Sequence, residues 1–401
     1  DAHLELQPKD YASAVYLAGK KYHKNLKSSL ASTIEEETGL AVRSMGQGVS
    51  QPVLRGYSGD RFLLTENGIT TGDLSNTSID HTVSMDMASF NKIRIIRGPE
   101  ALLYGSNTIG GVIDVSRQIN EGSKFKKTTF QSIFGTESSN LGKFGNIVYY
   151  LPIGSKNQFR FSILERSAEN QMTPVGALEN TALSNHELVG SYSYFGKKYR
   201  STISFEKLDM VYGIPGSPEG HIDGVDIDLN KSTQKFQLHK EISFIGFQTL
   251  DIDQRFISYD HTESEKGSPY PSVILEQQVF SLQNILKSQG LHLGSLFQHR
   301  DFRPSGFYWT PHTKELNVAV FGLIERKIIN KLSLQFSARA EYLSVIPDVY
   351  HKVANIELSQ VVQRNFSLLS GGISVYQNWD YWELSFGMMF TGRAPGIEDL
   401  F

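Results

Sequence analysis

The residues best placed to do chemistry are a carboxylate and an imidazole side by side, Asp80 and His81. Carboxylate oxygen and imidazole nitrogen are ordinary Zn²⁺ donors, and a closed zinc site takes about four such ligands. Adjacent residues can face one ion only from a turn, because along a strand they point to opposite sides. The turn-forming residues around the pair allow that geometry. The same two residues read equally as an aspartate capping a turn beside a solvated histidine. Other chemistries fall away. The chain has no cysteine, which removes thiolate zinc sites, iron–sulfur clusters, disulfides and cysteine nucleophiles. It has no G-x-S-x-G elbow and no H-E-x-x-H pair, and nothing else in it calls for an enzyme.

The elements that must carry these residues change character near Glu121-Gly122-Ser123-Lys124. We expect a first domain over 1–122 and a second over 123–401. The first is small and mixed α/β. Ser32-Thr33-Ile34-Glu35 has the form of a capping box for a helix over Leu30–Glu37, with Gly39 at the left-handed stop. Strand-like pieces follow at Pro52–Arg55, Phe62–Leu64 and Lys92–Arg97. The second region is strand after strand. In Leu332–Glu341, Leu332, Leu334, Phe336, Ala338 and Ala340 alternate with Ser333, Gln335, Ser337, Arg339 and Glu341. Lys231–Ile242 repeats the pattern, with Lys235, Gln237, His239 and Glu241 on the polar face. Roughly thirteen such strands are expected between Lys127 and Arg393, many near the length of a tilted membrane strand. Long strands with one charged face favour a transmembrane barrel with a polar lumen over a sandwich of shorter strands. The formal net charge of −3 offers no basic field for nucleic acid. The apolar runs are too short for a membrane-spanning helix, which leaves a β-barrel open.

The first domain carries Gln51-Pro52-Val53-Leu54-Arg55-Gly56-Tyr57, then Arg61–Gly68, then Ile93-Arg94-Ile95-Ile96-Arg97-Gly98-Pro99-Glu100-Ala101-Leu102-Leu103-Tyr104-Gly105, and closes on Ile109-Gly110-Gly111-Val112. In order and spacing these blocks resemble the plug domain of TonB-dependent outer-membrane receptors. Thr391-Gly392-Arg393-Ala394-Pro395-Gly396 resembles a segment partway along that family's barrel. The resemblance implies a mainly β fold: an antiparallel outer-membrane barrel with the α/β plug in its lumen. It implies that Arg55 and Arg97, beside the turns at Gly56 and Gly98, sit at the plug–barrel interface and pair with barrel carboxylates. Barrels of this plugged class close with about 22 strands, so C-terminal strands are expected beyond those visible. The family's energy-coupling box is not recognisable.

Within the family, Gly72–Asp86, Tyr212-Gly213-Ile214-Pro215-Gly216, Tyr259-Asp260-His261-Thr262-Glu263 and Gln298–Phe302 resemble the zinc-uptake branch. That branch binds zinc at the plug apex with an Asp-His pair, which implies Asp80 and His81 here. Departures accompany the likeness. Gly306-Phe307-Tyr308-Trp309 lacks the branch's acidic residues. The expected histidine-rich outer loop holds only His221, beside Glu219. His221, Glu219 and His312 are weak capture ligands at most.

The resemblance therefore implies active import of a scarce metal, zinc first, as transported cargo and not as a cofactor. TonB and its inner-membrane energising complex would be partners, with lipid and lipopolysaccharide around a monomer. The rivals are a receptor of the same class for a siderophore, haem or another chelate, which Tyr308 and Trp309 keep open, and a passive or surface-binding barrel.

Overall fold

The computed structural model describes residues 14–117, 124–218, 220–308, 310–329, 331–348, 361–379 and 382–401. The expected boundary at 122 falls outside them.

The N-terminal part folds around β1 (Val15–Ala18), α1 (Gly19–Asn25), α2 (Leu30–Ile34), β2 (Leu40–Ser44), β3 (Ser50–Leu54), β4 (Leu63–Glu66), β5 (Ile69–Thr70), β6 (Lys92–Ile96) and β7 (Val112–Ser116). Five strands form one sheet in the order β1-β6-β7-β4-β5, and β2 pairs with β3 separately. Leu17, Tyr22, Leu30, Ile34, Leu54, Ile93, Ile95, Ile113 and Val115 close the core between sheet and helices. The expected helix is shorter and is capped one turn earlier. The Ser29 side chain, not that of Ser32, accepts the amide of Ser32 at 3.1 Å. Gly39 has φ 79, as its stop position requires. Arg55 and Gly56, with φ 54 and 82, form a two-residue turn closed by Leu54 and Tyr57. Both central residues are left-handed, so the turn needs glycine at one of them.

The second part is a thirteen-stranded antiparallel sheet. It runs β8 (Thr129–Glu137), β9 (Gly142–Ile153), β10 (Asn157–Ala168), then, past a hairpin of β11 (Gln171–Thr173) and β12 (Gly176–Leu178), β13 (Leu183–Phe195), β14 (Tyr199–Ile214), β15 (Val225–Phe244) and β16 (Phe247–Glu265). It continues with β17 (Val273–Ser288), β18 (Leu291–Gly306), β19 (Thr313–Ile329), β20 (Leu332–Pro347), β21 (Arg364–Asn378) and β22 (Glu383–Phe390), and a last helical turn, α3 (Ile397–Leu400), follows. Every strand of this sheet pairs with its neighbour in sequence once the hairpin is set aside. The mainly β class, the strand count and the N-terminal plug domain agree with expectation.

The sheet is polar inside and apolar outside. Gln335, Ser337 and Arg339 are buried against the plug, while Phe336 between them is exposed. Phe161, Phe205, Phe256, Phe297, Val318 and Val320 likewise project outward. So large an exposed apolar surface on a closely paired sheet is the polarity of a wall facing hydrocarbon. Its connections alternate. Short turns at 154–156, 196–198, 245–246 and 289–290 lie at one end, and longer loops at 169–182, 215–224, 266–272 and 307–312 lie at the other.

Candidate metal centre

The loop between β5 and β6 carries His81 to the long-loop end of the lumen. Its shape is set internally. The Asp73 carboxylate accepts the Thr71 hydroxyl at 3.0 Å and both the amide and hydroxyl of Ser75. Thr77 donates its amide and hydroxyl to the Leu74 carbonyl. These are the local turn bonds that short polar side chains favour.

Across from it stands β16. Period two along this strand puts Tyr259, His261 and Glu263 on the lumen face together. His81 Nε2 lies 3.0 Å from Glu263 Oε1, and His261 Nε2 lies 3.1 Å from the same oxygen. The two imidazole rings are 4.5 Å apart. One donor atom from each of the three side chains falls within 4.8 Å of the others. Leu229 and Leu275, paired with His261 on the neighbouring strands, belong to a buried apolar cluster with Leu74 and Phe302. His81 is 2% exposed and His261 is fully buried.

The hydrogen bonding calls for a cation. His81 Nδ1 is 2.8 Å from Thr77 Oγ1 and 3.1 Å from the Leu74 carbonyl, so this nitrogen carries a proton. Nε2 then meets a carboxylate, which only accepts. Burial works against the imidazolium. The hydrogen bond and charge of Glu263, with the charge of Asp80, outweigh it and raise the His81 pKa. A metal ion at Nε2 would take the proton's place. The second nitrogen is already held by a backbone carbonyl, the arrangement that fixes a metal-binding histidine. Two imidazoles and a carboxylate are a transition-metal donor set with room for one more ligand. On His261 the nitrogen that faces the shared carboxylate is Nε2, while Nδ1 is buried with no hydrogen-bond partner among the described residues.

Of the expected pair, only His81 enters this cluster. Asp80 lies in the turn at 79–80 and accepts the Ser78 hydroxyl, contributing charge but no donor to the set. His221 sits in the exposed loop 215–224 with Nδ1 against the Glu265 carboxylate, two residues beyond Glu263 on the same strand face. Glu219 and Trp309 lie outside the described residues. His312 follows β18, with Nε2 3.0 Å from the Pro304 carbonyl.

The expected interface residues Arg55, Arg97, Gly56 and Gly98 stand at turns of the plug. Arg97 donates to the Thr38 carbonyl at 2.6 Å within the plug, and Arg55 is exposed at its turn. Neither meets a barrel carboxylate among the described residues. Gly56 and Gly98 have open space where a Cβ would stand, so no barrel wall presses on them. Their positive φ values answer to the turns alone. Other groups bind plug to barrel. Arg166 clamps Asp86 at 2.6 and 3.1 Å, and Asn185 adds 2.8 Å. Lys235 reaches Glu66 at 2.7 Å and Glu206 at 2.8 Å, and Arg117 reaches Glu187 at 2.5 Å. Beside the plug apex a cavity of about 520 Å³ runs between Asp60, Thr77 and Ser106 of the plug and Arg300, Arg339 and Glu341 of the wall.

His261 and Glu263 escaped the sequence reading as ligands. The signal was present in Tyr259–Glu263: a His-x-Glu pair on a period-two strand shares one face.

Comparison with known proteins bears on the class. Residues 9–112 match the TonB-dependent Receptor Plug Domain. Vitamin B12 transporter BtuB of Photobacterium profundum is 29% identical over 125 residues, covering 29% of this chain and 20% of that protein. A hemin receptor of Yersinia pestis is 28% identical over 142 residues, covering 32% and 21%. The structure of the copper transporter OprC superposes with a TM-score of 0.76 at 15% identity, covering 96% of this chain and 64% of that one. The chain thus carries a TonB-dependent receptor plug and shares the fold of such receptors. It spans less than two thirds of the length of these relatives.

Proposed function

We propose that this chain belongs to a TonB-dependent outer-membrane importer whose cargo is a single divalent transition-metal ion, zinc first. Glu263 shared by His81 and His261 carries the reading. These donors come from plug and barrel, 182 residues apart for His81 and Glu263, and meet in a buried, apolar-walled pocket. A chelate the size of haem or cobalamin does not fit between side chains this close. The long loops mark the extracellular end, so the cluster lies on the entry side. TonB and its energising complex would draw on the plug from the periplasm, and lipid and lipopolysaccharide would surround a monomeric barrel. Because the ligands sit on two bodies, plug movement changes the site's affinity, as uphill transport needs. No covalent step is required.

A second reading rests on the cavity beside the apex. Its volume and its lining of paired charges, Arg300 with Glu315 and Arg339 with Glu341, suit a small polar metal chelate, and the hemin receptor and B12 transporter among the relatives are in keeping with that.

Titration calorimetry of the detergent-purified full-length receptor with Zn²⁺, Cu²⁺, haem and a ferric chelate tests both. The ion reading expects one Zn²⁺ per chain, weakened at least tenfold, about 1.4 kcal/mol, by His261→Ala. Heat from a chelate with none from free metal would transfer the proposal to the cavity. Cu²⁺ alone decides little, since copper outbinds zinc at most nitrogen and oxygen sites.

A further inference from the structure

The segment Gln51-Pro52-Val53-Leu54-Arg55-Gly56 stands out in the sequence, and the metal centre takes no ligand from it. Gln51 lies on β3 with its side chain buried. Its amide nitrogen faces three backbone carbonyls of the apical loop: Ser75 at 2.6 Å, His81 at 2.7 Å and Ser78 at 2.8 Å. Only a nitrogen can face three carbonyl oxygens, so the partners dictate the orientation of the amide. Two N–H groups serve three acceptors, one of them shared. The three carbonyls bracket the turn that ends on the ligand His81.

The two halves of the site are held differently. His261 and Glu263 belong to β16, paired along its length with β15 on one side and β17 on the other. His81 stands on a loop with no regular structure of its own. The loop's bonds from Asp73 and Thr77 are internal, so they set its shape without anchoring it. From the barrel, Gln277 donates to the Gly72 carbonyl at 2.7 Å and the Tyr212 hydroxyl accepts the Thr82 amide at 3.3 Å, so the wall holds the two flanks of the loop. Gln51 is the anchor from the plug itself, and among the described residues it alone bonds the turn between those flanks at three carbonyls. It reaches the loop from β3, which pairs with β2 outside the five-stranded plug sheet.

We propose that Gln51 is the positioning residue of the metal centre, tying the His81 backbone to the β2–β3 hairpin so that displacement of the hairpin withdraws His81 from His261 and Glu263. The inference rests on reading the cluster as a cargo site. Gln51 touches no metal. It acts through the loop, as groups behind a ligand do, whose loss typically costs ten- to about a hundredfold in metal affinity.

Three readouts on the full-length detergent-purified protein test it: Zn²⁺ calorimetry, the visible absorption of bound Co²⁺, and amide hydrogen exchange across 75–81. Gln51→Met keeps the chain length and removes the donors. Gln237→Met is the control, because the Gln237 amide also donates, to the Asp253 carboxylate within the barrel wall, at 2.7 Å. Gln51→Met should weaken Zn²⁺ binding by about tenfold or more, alter the Co²⁺ band and speed exchange across 75–81. Gln237→Met should leave all three as they were. Unchanged affinity and spectrum in a folded Gln51→Met protein overturn the proposal. Should that variant fail to fold, Gln51→Glu, isosteric but set against three carbonyls as an anion, carries the same test. If the parent protein binds no metal, the cargo reading falls on its own. Exchange across 75–81 then still decides whether Gln51 holds the loop, and equal rates sink the clamp.

Discussion

At the scale of single residues, the centre separates charge from ligation. Asp80 and Glu263 both favour a cation on His81, yet only Glu263 places an oxygen among the nitrogens. Glu263→Gln should therefore cost Zn²⁺ affinity tenfold or more, about 1.4 kcal/mol. Asp80→Asn should cost only a small fraction of that, since it removes a nearby charge and no donor. Calorimetry on the two variants ranks them, and equal losses would return Asp80 to the ligand set. This division was half legible in the sequence. While Asp80 contributes charge and no donor, its adjacency to His81 drew attention to the histidine that enters the cluster. Its true partners were hidden by distance along the chain, not by chemistry. Period two already put His261 and Glu263 on one face of a strand, but nothing in a single sequence says which plug residue that face meets.

At the scale of elements, the plug is seated by buried ion pairs. Asp86 caps the turn at Met87–Ser89 through the Ala88 amide at 2.9 Å and at the same time takes two bonds from Arg166 of β10. Both side chains are almost fully buried. Removing one partner of such a pair leaves a stranded charge and costs roughly 3–5 kcal/mol, whereas replacing both with apolar groups can cost little. Asp86→Ala should accordingly loosen the plug far more than the double change Asp86→Leu with Arg166→Met. Amide exchange across 84–90 reads the difference, and additive effects would show that the pair is not coupled. The family resemblance put Arg55 and Arg97, beside glycine turns, at the plug–barrel interface. Turn chemistry was read correctly there, as the left-handed Arg55–Gly56 pair attests, but a turn says nothing of what lies across it. The helix over Leu30–Ile34 makes the same point at its N-terminus: Ser29 and Ser32 are both capping residues by type, and packing chose the first.

At the scale of the whole molecule, the wall is inverted relative to a soluble protein. Strand alternation was the most legible feature of the chain, because a period of two needs no tertiary knowledge to be seen. It assigned Arg339 and Glu341 to one face and Phe336 to the other, and the fold turns the charged face inward. Val320, outward on β19, and Gln335, inward on β20, make a paired test of that polarity. Val320→Arg should destabilise the folded barrel in lipid vesicles by about 2–4 kcal/mol if it lies near the bilayer midplane. Gln335→Arg should leave lipid insertion unaffected. Equal effects would mean that the outer face does not meet hydrocarbon. The most direct test of the central claim, that plug and barrel share one metal ion, is anomalous diffraction at the zinc edge from crystals of the full-length receptor grown with Zn²⁺. The account predicts one strong peak about 2.0–2.2 Å from a nitrogen of His81, a nitrogen of His261 and an oxygen of Glu263. A well-ordered plug with no peak there, or with the peak in the arginine-lined cavity, would contradict it.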